Sequence, residues 1–156
     1  MRTSHARISD GVFLKLALPL VFLLCTAFRV MAGPAEDASA LVDKWSATYN
    51  ANNRNALAEL YAPDALLFGT TAKTSAKGTD AIRQYFAALD QGNRRVTITD
   101  RTVFILSETA VVIAGFYNFD HAGEENQLKP SRFTMLLVKR GDHWFIQHHH
   151  SSPQGQ

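Results

Sequence analysis

Three consecutive histidines, His148-His149-His150, are the densest run of chemically capable side chains in the chain. On a strand, His148 and His150 share one face, with Cα atoms roughly 6–7 Å apart, and His149 takes the other. A His-x-His pair can offer two ligands to a transition metal. His121, Asp120 or Glu124 could be a third, and no spacing selects one. His148 and His150 are thus candidate ligands only, and neither a metal nor another cofactor is expected. Acid–base chemistry is the second possibility. Alternation places His148 and His150 on the face of Trp144 and Ile146, where Asp100 or Asp120 could partner a histidine base. The plain alternative is structural: histidines hydrogen-bonded in a pocket wall or interface, Asp100 in a turn, Asp120 at a strand end. Trp45 and Tyr49, one helical turn apart, either stack on a ligand or fill a core. Arg132 can grip a carboxylate bidentately or serve as an edge-strand charge. A two-residue hairpin at Gly141-Asp142 puts Arg132 on the face of Gln147 and His149, and a three-residue loop reverses that. No dinucleotide or P-loop glycine pattern is present.

The elements that must position these residues run helices first, then strands, an α+β order. Residues 36–51 read as a helix with Ala38, Leu41, Val42, Trp45 and Tyr49 inward. Asn53 can cap a second helix carrying Ala56, Leu57, Leu60 and Tyr61, ended by Pro63-Asp64. Residues 65–68 form a short strand, and 69–78 a polar loop with room for a brief one. Thr79 caps a third helix with Ile82, Tyr85, Phe86 and Leu89 inward, stopped at Gln91-Gly92-Asn93. Strands follow over 94–106, 110–120, 132–140 and 144–151. In the first, alternation changes phase near Asp100-Arg101, the signature of a β-bulge. Gly141-Asp142 suits a type II′ turn. Three helices in a strongly bent antiparallel sheet make a half-open cone with an apolar pocket at its open end. Phe116-Tyr-Asn-Phe119 is apolar on both strand faces, so the face away from the helices needs a cover, best supplied by a second subunit.

The chain has 156 residues, 46% hydrophobic and 19% charged, which suits one folded domain. Arg2, Arg7 and Lys15 precede an uncharged run over 16–28. Such a run reaches roughly 20 Å as a helix, too short to span a bilayer, and matches a secretory leader. Val30-Met31-Ala32 allows cleavage after Ala32, and Cys25-Thr26-Ala27 is a second possible site. The expected division is a leader at 1–32 and a single domain at 33–156, periplasmic or secreted, with no membrane attachment after cleavage. The whole chain has net charge +2, yet residues 1–32 hold four basic side chains and one acid, leaving 12 basic and 13 acidic. That balance argues against a phosphate-tracking nucleic-acid binder. The only cysteine is Cys25, so the domain carries no thiol chemistry.

The closing segment Lys139-Arg-Gly-Asp-His-Trp-Phe-Ile-Gln-His-His-His-Ser-Ser152 resembles the end of the association (hub) domain of calcium/calmodulin-dependent protein kinase II. It is closer still to free-standing bacterial relatives of that domain. These belong to the nuclear transport factor 2-like superfamily, which also holds SnoaL-like cyclases and ketosteroid isomerases. Leu60-Tyr-Ala-Pro-Asp-Ala65, Gly78 through Phe86, Asp100-Arg-Thr102 and Arg132-Phe-Thr-Met135 extend the match over roughly 36–152. The resemblance implies the cone fold and a homodimer or larger homo-oligomer. It does not carry over the hub's pocket arginines, because Ala114, Met135 and Ser151 stand at the matching positions. The expected pocket comprises Trp45, Tyr49, Tyr117, Arg132, His148, His149 and His150, around a small molecule of unknown identity. Three functions follow: an exported binding module, an acid–base isomerase, hydratase or cyclase using His148 or His150 with an Asp such as Asp100, or a purely structural oligomer.

Overall fold

Helix α1 (Pro34–Asn50) starts with proline at its first position, where the missing N–H costs nothing, and with Glu36 and Asp37 facing the positive helix end. It buries Ala38, Leu41, Val42, Trp45 and Tyr49, the stripe expected from the spacing. The structure is a computed structural model that describes residues 33–121 and 128–155. The expected leader at 1–32 and Glu124 lie outside the described residues.

Asn50 and Asn52 fasten the end of α1 to the sheet. Asn50 accepts from the Val96 N–H at 2.7 Å and donates to the Val96 carbonyl at 3.0 Å. Asn52, at φ +54°, makes the same pair of bonds to Arg94, at 3.1 and 3.2 Å. Two side-chain amides thereby satisfy backbone groups on an edge strand that has no neighbour there.

The second helix is shorter than expected. Helix α2 (Arg54–Ala58) is capped by Asn53, whose side chain accepts from the Ala56 N–H at 3.0 Å. Tyr61 does not continue it but begins strand β1 (Tyr61–Phe68). Two forces decide this: Pro63 disfavours helical backbone at the preceding residue, and the Ile146 N–H donates to the Leu60 carbonyl at 2.9 Å. After the two-residue strand β2 (Ala76–Lys77) comes α3 (Gly78–Tyr85), tightening into a 3₁₀ segment (Phe86–Gln91) that ends at Gly92, φ +73°. Strands β3 (Arg94–Ser107), β4 (Ala110–His121), β5 (Lys129–Arg140) and β6 (His143–Pro153) complete the domain.

The sheet order is β2-β1-β6-β5-β4-β3. Pairing is antiparallel except between β1 and β6, which run parallel. The sheet curls without closing, and its inner face packs on the helices. Val111, Ile113, Met135, Leu137 and Ile146 are buried there. The phase change in β3 is a bulge: pairing with β4 skips Thr99, between Ile98 and Asp100. Gly115 sits opposite, where a Cβ would lie 2.1 Å from the Asp100 carbonyl oxygen. The β5–β6 hairpin closes with Arg140 opposite His143 and Gly141 at φ +61°, the glycine-first turn expected.

Candidate functional site

A second bulge decides which histidine faces inward. Along β6, Ile146 pairs with Leu137 and His148 with Leu136, so Gln147 is an extra residue. The slip reverses the alternation beyond it. Ile146 stays on the inner face, but His149 and Ser151 follow it there, and His148 and His150 turn outward. The expectation that His148 and His150 share the face of Trp144 and Ile146 is therefore corrected: Ile146 and Trp144, whose indole N–H donates to Asp37 of α1 at 3.3 Å, lie on the inner face, opposite His148 and His150. Arg140 holds the bulge from outside, reaching Gln147 Oε1 at 2.5 Å and Asp64 at 2.8 Å. That contact holds the Asp64 carboxyl below its usual range.

The inner face ends in a cavity of about 190 Å³. Its walls are rings from four elements: Trp45 and Tyr49 of α1, Tyr85 of α3, Phe86, and Tyr117 and Phe119 of β4. Trp45 lies nearly parallel to Tyr117 at 6.0 Å between ring centres, and Tyr117 meets Phe119 at 4.6 Å. Tyr85 crosses directly over Gly69, where a Cβ would stand 2.1 Å from its ring. Arg94 and Lys129 add positive charge to the lining.

One wall is polar. The Trp45 indole N–H donates to the Tyr61 hydroxyl at 2.9 Å. The Tyr61 hydroxyl lies 2.9 Å from His149 Nδ1, and the Tyr117 hydroxyl 3.4 Å from His149 Nε2. The Ser151 and Thr70 hydroxyls, which also line the cavity, bond to each other. His149 is 2% exposed. Burial, with His148 and His150 on either side, pulls its pKa down to about 3, so the ring is neutral. Burial likewise pushes the Tyr61 and Tyr117 phenols up and the Tyr49 phenol to about 12.

The residues singled out from sequence thus divide. Trp45, Tyr49, Tyr117 and His149 line the inner cavity. Arg132, His150 and Asp100 line a shallow cleft of about 500 Å³ on the outer face, with Phe104 and Phe116. There the Arg132 Nε donates to the Ser152 hydroxyl at 3.0 Å. His148 lies in neither lining and stands beside Phe68, 5.8 Å between ring centres. Among the described residues no three His, Cys, Asp or Glu side chains converge to hold a metal ion. Sequence reading missed Tyr61 and Thr70 as parts of the polar wall. Ser151 carried one signal, because it matches a pocket position of the kinase hub domain.

A family model described as a SnoaL-like domain matches residues 38–155. Among solved structures, one described as a calcium/calmodulin-dependent protein kinase II association domain, from Xanthomonas campestris, is 30% identical. It aligns over 81% of this chain and 94% of its own, with a TM-score of 0.69. One described as a scytalone dehydratase, from Novosphingobium aromaticivorans, is 14% identical over 76% of this chain and 83% of its own, TM-score 0.67. A ketosteroid isomerase-like protein from Erwinia carotovora atroseptica is 14% identical over 81% and 100%, TM-score 0.64. The last two share the fold alone. No curated protein sequence matches the chain. With the family match spanning nearly the whole described domain, and helices laid into a curled, unclosed sheet, the chain belongs to the SnoaL-like family of the NTF2-like fold.

Proposed function

We propose that this domain binds a flat, mainly apolar small molecule in the inner cavity and performs no chemistry of its own on it. The observation that carries this reading is the cavity itself: six aromatic rings around a space with one hydrogen-bonded polar wall, to whose lining Arg94 and Lys129 add positive charge. Rings give a flat ligand large contact area, and a few fixed polar groups orient it. Binding is favoured over proton abstraction because the neutral His149 ring has a tyrosine hydroxyl at each nitrogen. No lone pair is left to act as a base on a ligand. The dehydratase and isomerase-like neighbours share the fold without supplying such a base here.

The reading extends to export, on the strength of the basic and apolar segment before residue 33, and to a twofold dimer through the outer face. Phe104 is 53% exposed and Phe116 39%, and Asp100 and Arg132 flank them in one cleft. Both charge signs on one apolar face make it self-complementary about a twofold axis. Sedimentation of residues 33–156 should give a dimer that Phe116→Lys converts to monomer; a wild-type monomer rules it out. Binding is tested with the Trp144→Phe chain, in which Trp45 is the sole indole. Its emission should respond saturably to naphthalene or indene. Unchanged emission and no calorimetric binding across such flat probes would defeat the binding reading.

A further inference from the structure

The charge in the inner cavity is all of one sign. Of the described residues that line it, Arg94 and Lys129 are cationic, and none is Asp or Glu. The sheet aims both cations inward. Arg94 lies two residues before Val96, and Lys129 two before Ser131, and Val96 and Ser131 are both buried on the inner face. Strand alternation gives Arg94 and Lys129 that same face. Their backbones are fixed as well. The Asn52 amide brackets Arg94, and the Ser131 hydroxyl donates to the Lys129 carbonyl at 3.2 Å. Strand β4 passes between them: Arg94 pairs with His121, and Lys129 with Phe119. Two strand spacings and a two-residue offset put their Cα atoms roughly 12 Å apart. Side chains as long as arginine and lysine can close that gap on one small anion.

We infer that the ligand of this cavity is a flat aromatic carboxylate, with its ring among Trp45, Tyr49 and Tyr117 and its anionic group between Arg94 and Lys129 at the end of the sheet. The inference rests on the binding reading above and names its ligand class. A guanidinium carries several N–H donors in a planar fork, so Arg94 can hold a carboxylate alongside a protein partner, and Lys129 adds a point charge. A neutral ligand leaves two like charges facing one apolar space, whereas an anion relieves their repulsion. Charge-assisted hydrogen bonds of this kind are worth about tenfold or more in affinity. Arg132, the arginine whose sequence position suggested a carboxylate grip, lies on the outer face. The grip falls instead to the first residues of β3 and β5.

Two probes of nearly equal shape isolate the charge: 2-naphthoate, an anion at pH 7, and 2-naphthamide, which is neutral. Calorimetry on the full chain should show 2-naphthoate binding at least about tenfold more tightly. Lys129→Gln alters an exposed side chain at a strand start, so the fold is spared, and it should cut that preference about threefold. Adding Arg94→Gln should bring the preference to within about twofold, whereas Lys129→Arg should keep it. The affinity for 2-naphthamide should move by less than about twofold in every variant, which a general loss of packing would not spare. A 2-naphthoate affinity no better than that of the amide, or a preference that survives Lys129→Gln undiminished, overturns the inference, while binding of the amide or of naphthalene upholds the binding reading. If 2-naphthoate, 2-naphthamide and naphthalene all fail to bind, both fall.

Discussion

The two faces of strand β6 put one residue type into opposite circumstances. His149 is sealed among Trp45, Tyr61 and Tyr117 and held neutral, whereas His150, one residue on, lies exposed in the outer cleft. The inner region is ring-walled, hydrogen-bonded and narrow; the outer is broad, open and carries unburied charges of both signs. Nothing intrinsic to histidine separates them. One inserted residue, Gln147, decides which ring enters the core, and burial then decides what that ring can do. A cluster of capable side chains is therefore a poor guide to a site until strand phase is known.

The comparison breaks most completely if the bend is lost. Gly115→Val places carbon against the Asp100 carbonyl, and the unfolding free energy should drop by about 3 kcal/mol or more in urea titrations. A wild-type midpoint would mean that the β3–β4 corner gives way easily. Next comes a direct contrast among the histidines. His149→Ala removes a buried ring and strands two tyrosine hydroxyls, an expected loss of about 3 kcal/mol. His148→Ala should cost no more than about 0.5 kcal/mol, as for an ordinary surface change. Equal losses would erase the distinction between the faces.

Acid sharpens the same contrast. The His149 pKa is lowered on folding, so the unfolded chain binds its proton first as pH falls. That share of stability is intact above about pH 6.5 and is lost towards pH 3, at up to about 1.4 kcal/mol per pH unit. Asp64, also lowered, adds loss at the acid end of the same range. His149→Gln should flatten the slope between about pH 6 and 4 in paired denaturant titrations; an unchanged slope would mean that the ring is solvated. The smallest effect concerns the clamp. Arg140→Ala frees Gln147 and Asp64 at the surface and should leave the urea midpoint nearly where it is in the wild type. Amide exchange near residues 146–149 should quicken more than elsewhere, and uniform exchange would show that the bulge holds without Arg140.

Much of the scaffold was legible. The stripe from Ala38 to Tyr49, the β3 phase change and the glycine-first hairpin each leave a local pattern of residue types. The spacing of Tyr61 from Leu57 fits a helix, but its strand pairing is made with residues more than eighty positions away, beyond any local pattern. The Gln147 bulge was invisible for a different reason. Three identical residues follow it, so no alternation of polarity records the slip. Trp45, Tyr49 and Tyr117 were found because aromatic size marks them, and His149 because it belongs to the run. Thr70 was not found, since a lone hydroxyl in a loop resembles any other.

The parallel pairing of β1 with β6 has a consequence for how the chain comes into being. Among the described residues the first long strand, β1, finds its neighbour in the last, β6, which sits between it and β5. Until β6 has been made, β1 has no partner but the two-residue β2, and the inner cavity lacks the wall that holds His149. Native assembly of the described domain must therefore wait for β6, and removing that strand takes a seam from the middle of the sheet rather than trimming an edge.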